Sequence, residues 1–298
     1  MILNAQNIRN LFVGYKAAFN LGFREAPTDW NKVATEVPSV TAENHYAWLG
    51  QMPALREWAG DRQIKQMASH DYRIKNKKFE STVAVGRDAI DDDTYGVYTP
   101  LMQEMGYGAS THPDELVFAL LKDAENELCY DGQPFFDTDH PVGREGEGGV
   151  TSVSNTGGGS GTPWYLLDTR RALKPLLFQK RRNYDFRSLN RLDDDHVFRT
   201  DEFLFGVDAR VNVGFGFWQM AYMSKQTLNA ENFNSAIAAM QGFKSDEGRP
   251  LGVMPSLLVC GPSLRDKALE TVKAERNAAG ATNINRNAVD VLVTPWLG

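Results

Sequence analysis

The sequence predicts an α+β protein, and three stretches carry that expectation. Phe79, Ser81, Val83 and Val85 alternate with Glu80, Thr82 and Ala84, the period of two that gives a strand one apolar face. Leu116, Ala119, Leu120, Ala124 and Leu128 recur at helical spacing and make a single apolar stripe. The run FLFGVDARVNVGFGFWQMAYM is dense in aromatic and β-branched residues, the composition of long strands. Helix and strand signals alternate only towards the C-terminus, where they suggest a compact α/β unit.

Length and charge restrict the functions. A chain of 298 residues can bury a large core in one or two domains. Its 42% hydrophobic and 23% charged residues are ordinary for a soluble protein. The net charge of -6 argues against a general nucleic-acid binder, which needs basic surface to displace counterions. Cys129 and Cys260 have no CxxC partner and sit in apolar surroundings, so buried free thiols are expected. The N-terminal MILNAQNIRNLF lacks the basic start and long apolar run of a signal peptide, and no run of eighteen apolar residues exists. The expectation is a soluble product of a reducing cytoplasm.

In chain order, Ile8, Leu11, Phe12, Tyr15 and Phe19 predict a helix that Gly22 can close, serving as a first core helix or as an arm on a neighbouring subunit. Pro27 and Pro38 mark an extended segment to about His45. Between Asp61 and Ile90 there are seven basic residues (Arg62, Lys65, Arg73, Lys75, Lys77, Lys78, Arg87) against four acidic ones. Gln63–Met67 and Tyr72–Asn76 can pair as two arms around Ser69-His70-Asp71, a reach of ~33 Å for ten residues. Such a hairpin has too little apolar surface to stand alone, so it needs a partner or lies as a solvated edge. Asp91-Asp92-Asp93 reads as an exposed helix-start or turn, since no His or Glu is placed to complete a metal cage.

Pro100 suits the first turn of a helix to Met105, with Gly106-Tyr107-Gly108 ending it. Thr111 then looks like the N-cap of a second helix running to Cys129 or Tyr130. Residues 143–162 hold eight glycines and predict a long flexible loop, without the lysine or spacing of a phosphate-binding loop. Trp164–Phe178 and Asp201–Met223 predict long strands, with Gly206, Gly214 and Gly216 at bulges or close approaches. The basic residues Arg170, Arg171, Lys174, Lys180, Arg181, Arg182, Arg187 and Arg191 lie between them, and Asp193-Asp194-Asp195 follows, favouring ion pairing or a solvated face. Asn232–Met240 predicts a helix with Phe233, Ile237 and Met240 inward; Ser256–Cys260 a buried strand; Ser263 to about Ala279 a helix; Val289–Val293 a last strand.

No GxSxG, HExxH or Walker motif occurs, and the five histidines are scattered. The best cluster is Asp137, Asp139 and His140 with Glu145 and Glu147, which could hold a divalent ion in a metal-dependent hydrolase, although the spacing matches no standard ligand set. No cofactor is expected.

Four stretches together carry a resemblance: NKKFESTVAVGRDAIDDDTYGVYTP, HPDELVFALL with CYDGQPFF, LKPLLFQKRR, and DEFLFGVDARVNVGFGFWQMA. In their order the chain resembles the major head (capsid) proteins of Mu-like tailed phages, a family of HK97-type fold. The resemblance implies an N-terminal arm and entry to the peripheral domain (1–50), an extended loop (51–80), a peripheral domain with a spine helix in or near Pro113–Tyr130 (81–225) and an axial domain (226–298). It implies a self-assembling icosahedral shell of hexamers and pentamers around double-stranded DNA, part of the virion and made in the host bacterial cytoplasm. A scaffolding protein and a portal during assembly, and a decoration protein, would be its partners. An encapsulin-like cargo compartment and a minor virion protein are the rival readings.

Charge suggests how copies meet. Residues 91–147 contain fourteen acids and only two bases, Lys122 and Arg144. The basic hairpin (Lys65, Arg73, Lys75, Lys77, Lys78) is therefore expected to lie over the acidic spine region (Asp91, Asp92, Asp93, Asp114, Glu115) of a neighbouring copy.

Overall fold

The computed structural model describes residues 5–47, 49, 72–93, 96–144, 149–277 and 279–298. Lys65 and the Gln63–Met67 arm of the expected hairpin lie outside these residues.

Helix α1 (Ala5–Glu25) turns Ile8, Tyr15, Ala18 and Phe19 inward, as their spacing predicts. A single turn, α2 (Trp30–Val33), leads to strands β1 (Ala34–Pro38) and β2 (Glu43–His45). Strand β3 (Arg73–Lys75) pairs antiparallel with β2, and β4 (Lys77–Gly86) begins after Asn76. Asn76 is buried because its amide donates to Ser39 Oγ and the Thr41 and Ala42 carbonyls.

After the short helix α3 (Arg87–Asp91) comes α4 (Tyr98–Lys122), one 25-residue helix where two are expected. The reason lies in packing. A Cβ on Gly106 would sit 2.0 Å from the Phe19 carbonyl oxygen, so this glycine lets α4 touch the backbone of α1 instead of ending a helix. Pro113 removes one helical donor but is buried within the helix, and Thr111 Oγ1, expected to cap, instead donates back to the Tyr107 and Gly108 carbonyls. The helix stops at Lys122, short of the expected Tyr130. Beyond it the chain folds on itself, with Phe136 N–H donating to the Ala124 carbonyl and Cys129 N–H to that of Gln133.

The glycine-rich stretch is not one long loop. It contributes to β5 (His140–Arg144) and contains β6 (Gly149–Val153), which pair as an antiparallel hairpin, and β7 (Thr156–Gly159). Here glycine serves pairing: Gly143 has φ +121°, and a Cβ on it would meet the Gly149 carbonyl oxygen at 2.4 Å. Trp164–Phe178 is likewise not a single strand. It holds β8 (Trp164–Leu167) and the start of β9 (Leu176–Leu189), separated by a turn where Asp168 accepts from the Arg170 side chain and from Met254 N–H. Helix α5 (Asp195–Thr200) joins β9 to β10 (Glu202–Phe215), and β11 (Ala221–Lys225) follows.

Two sheets result. The first has the order β1-β9-β10-β4; β1 runs parallel to β9, and β10 is antiparallel to both its neighbours. Alternation along β10 buries Phe203, Phe205, Val207, Ala209 and Val211. Phe203, Phe205 and Val207 share a core with Tyr15 and Phe19 of α1 and Met102 of α4. The predicted glycine contacts are present: a Cβ on Gly206 would meet Thr82 Oγ1 at 2.9 Å, and one on Gly214 would meet Ile74 Cδ1 at 2.3 Å. The register shifts of β9 against β10 fall at Asp208–Val211, away from these glycines.

The second sheet has the order β13-β12-β8-β11-β7, adding β12 (Leu257–Cys260) and β13 (Asp290–Val293) to the strands above. Helix α6 (Ala230–Gln241) starts at Asn229, whose side chain accepts from Asn232 N–H, and ends at Gly242 as expected; Phe233, Ala236 and Met240 are its buried residues. Helix α7 (Arg265–Val272) ends seven residues before Ala279. The chain turns back there because the Asn283 amide donates to the Glu270, Thr271 and Ala274 carbonyls and takes up the free end of the helix.

Candidate assembly surface

The basic segment is laid out by β3 and β4. Lys75, Lys77 and Lys78 are exposed, and no ion pair joins them to a carboxylate among the described residues. Their position is fixed by backbone: Lys77 and Lys78 stand opposite Val211 and Arg210 of β10, and the Lys75 carbonyl accepts from Asn212 Nδ2. Arg73 differs, because its guanidinium lies 3.4 Å from Glu43 of β2 in the same chain.

The acidic residues separate into two kinds. Asp91 closes α3 and Asp92 caps it, so the triplet ends a short helix rather than starting one. Asp93 accepts from Gly96 N–H at 2.7 Å and Val97 N–H at 3.2 Å, shaping the turn towards α4. Glu104 and Glu115 face outward from α4. Asp114 does not: it is only 1% exposed, and its Oδ1 accepts from Asp29 N–H at 2.8 Å and Trp30 N–H at 2.5 Å. It closes the N-terminus of α2 across 84 positions of sequence, so its place in an outward acidic surface is withdrawn. Burial raises the Asp114 pKa while these two donors act in the opposite direction.

Asp137, Asp139 and His140 do not converge. Asp137 accepts from the N–H of Thr138, Asp139 from the Ser152 hydroxyl, and His140 turns inward to Asp131. Cys129, Asp131 and His140 do gather, with one donor atom of each within 4.8 Å. Their arrangement is a hydrogen-bonded knot: Cys129 Sγ donates to Asp131 Oδ1 at 3.0 Å, and Asp131 Oδ2 lies 2.8 Å from His140 Nδ1. The imidazole stacks on Trp218 with centroids 4.0 Å apart. Burial opposes the Asp131 charge, but the bonds from His140, Cys129 and Gln133 N–H outweigh it and hold the carboxyl below its ordinary range. Burial pushes both thiols up, Cys260 to about 11, which leaves them protonated and poor nucleophiles. Sequence spacing missed this knot because Asp131 and His140 meet only once the turn after α4 has folded.

The scaffold thus combines a long helix on a sheet, a five-stranded second sheet, a basic segment at one edge and no converged catalytic set among the described residues. This is a shell subunit of the HK97 type. The chain superposes on the subunit of the procapsid of bacteriophage JBD30 with a TM-score of 0.87 at 52% identity, covering 99% of this chain and 100% of that one. With the capsid of JBD30 decorated with minor capsid protein trimers the TM-score is 0.78 at 41% identity, over 92% of each chain. It is 43% identical over 290 residues to the major capsid protein of Escherichia phage Mu, spanning 96% of this chain and 95% of the relative. Residues 8–297 match the Mu-like prophage major head subunit gpT family, and the chain belongs to that family. It is a major capsid protein of a Mu-like phage head, and neither a cargo compartment nor a metal-dependent hydrolase is favoured.

Proposed function

We propose that copies of this subunit lock together by laying the basic β3–β4 segment of one over the acidic α3–α4 region of the next. The observation that carries this reading is the exposure of Lys75, Lys77 and Lys78 without an ionic partner among the described residues of their own chain. Glu115, Glu104 and the Asp91–Asp93 turn are the acceptors offered by the neighbour, while Arg73 stays with Glu43 of its own chain. Long-range attraction between the two would bring subunits together in register, with the fit of the shell set by apolar contacts.

In this reading the five-stranded sheet with α6 and α7 is the axial unit at hexamer and pentamer centres. It draws β7, β8 and β11 from the stretch assigned to the peripheral domain by sequence. The first sheet with α1 and α4 forms the peripheral unit and the arm. Assembly runs with a scaffolding protein and a portal in the host cytoplasm. The finished shell encloses double-stranded DNA without reading its sequence, which a net charge of -6 suits, and the outer face receives a decoration protein. The subunit's work is structural and non-catalytic, and its final location is the virion.

Reversing Lys75, Lys77 and Lys78 to Glu tests the contact. The unassembled subunit should keep its circular dichroism and melting temperature, since these side chains are exposed, while closed shells disappear from electron micrographs. Normal shells from the triple variant would end this reading.

A further inference from the structure

At the end of β9 the chain turns through α5 before entering β10, and this tip has an unusual surface. Phe198 is 86% exposed, and Leu189 and Leu192 are 39% and 37% exposed. Phe198 is held there by its neighbour: Val197 is buried in the core shared by α1, α4 and β10, so α5 is anchored through one side chain and presents the next.

Three of the four carboxylates around this apolar surface face an arginine within the chain, and the fourth accepts a backbone N–H. Asp193 faces Arg191 at 3.4 Å, Asp195 faces Arg199 at 2.8 Å, and Asp201 faces Arg87 at 3.6 Å. Asp194 accepts from Arg191 N–H at 3.0 Å. Four carboxylates in nine residues would ordinarily suggest a basic partner; here each has an acceptor's role at home. What the tip has left to offer is hydrophobic.

We infer that the Phe198 tip is an apolar contact with a second copy of this chain, formed only in the assembled shell. This rests on the subunit building a shell. Size points to the occupant. A free-standing complex buries on the order of 1,200–2,000 Å², and three side chains on one tip supply a small part of that. Such a patch cannot hold a soluble partner by itself. In a closed shell the same surface recurs on every subunit, and the other contacts raise the effective concentration of one tip near the next copy. A tip with three of its four carboxylates paired internally can also meet another copy with reduced like-charge repulsion. Aromatic side chains dominate such contacts, which makes Phe198 the central residue.

Cysteine chemistry gives a direct test. The two native thiols are 4% and 0% exposed, so Phe198→Cys creates a single accessible thiol. In the unassembled subunit this thiol should react freely with a maleimide. In shells assembled without any decoration protein it should be protected. Phe198→Asp should lower shell yield by roughly tenfold or more, the scale of a lost aromatic hot spot, with Phe198→Leu recovering part of it. The melting temperature of the unassembled subunit should stay unchanged. Equal labelling in shells and free subunit would overturn the inference, as would protection that appears only when a minor capsid protein is added. Failure of the wild-type chain to form shells would instead count against the shell-building reading, and with it this contact.

Discussion

At the residue scale, the informative groups are carboxylates that folding takes inside. Asp168 has no exposed side-chain surface and holds Arg170 through both oxygens at 3.0 Å, with Met254 N–H donating to Oδ2. Burial works against its charge, but these donors prevail and its pKa is lowered, as for Asp131. A lowered carboxyl contributes stability that is complete above the unfolded value of about 3.9 and is lost as pH falls through the folded value. Stability measured by denaturant unfolding should therefore fall below about pH 4, and Asp168→Asn should flatten that acid limb. The same substitution should cost about 1–3 kcal/mol at neutral pH by weakening the pairing of Arg170 and Met254 N–H. An acid limb unchanged in the variant would show that Asp168 does not set it. Asp114 has the opposite sign: its raised pKa means that ionisation costs stability as pH rises through it. Asp114→Ala should still destabilise by ~1 kcal/mol, because the N–H groups of Asp29 and Trp30 lose their acceptor.

At the scale of elements, α4 shows what a sequence carries and what it conceals. Its presence was legible, although its buried face is Val117, Phe118 and Leu121 rather than the expected stripe: Leu116 and Leu120 are half-buried, Ala119 is exposed, and Ala124 and Leu128 lie beyond Lys122. Its continuity was not, because Gly106 and Gly108 look alike in sequence and differ only in surroundings. Gly106 touches α1, whereas a Cβ on Gly108 would meet nothing within 4 Å. Gly106→Ala should lower stability by about 1–3 kcal/mol through forced separation of the two helices. Gly108→Ala should raise it by about 1 kcal/mol, the helical preference of alanine. Thermal melts of the two variants moving in the same direction would contradict this assignment. The glycine-rich strands β5 to β7 were illegible for a related reason: their order comes from backbone pairing, and no side-chain period announces it. Strands β4 and β10 were recognised; β4 outruns its Phe79–Val85 signal, whereas the Asp201–Met223 run breaks after Phe215 and resumes as the separate strand β11. Helix α7 was read too long because its stop is supplied by Asn283, eleven positions beyond its last residue.

At the scale of the molecule, the fold was legible as a family resemblance, and the surface only as a charge pattern. The resemblance holds over residues 8–297. The charge pattern needed sorting by burial, since Asp114 and Asp131 act inside the subunit and Arg73 is matched to Glu43. What remains outside is simpler than composition suggests: three lysines on β3–β4, the outward acids of α4, and an apolar tip at α5. Each is a feature that a single copy leaves unfinished and a neighbour can complete. Cryo-electron microscopy of shells assembled from the full-length chain tests this account most directly. The account predicts closed shells in which Lys75, Lys77 and Lys78 lie within ion-pairing distance of acidic residues on the α3–α4 region of an adjacent copy. Closed shells in which these lysines face solvent, or meet only their own chain, would contradict it.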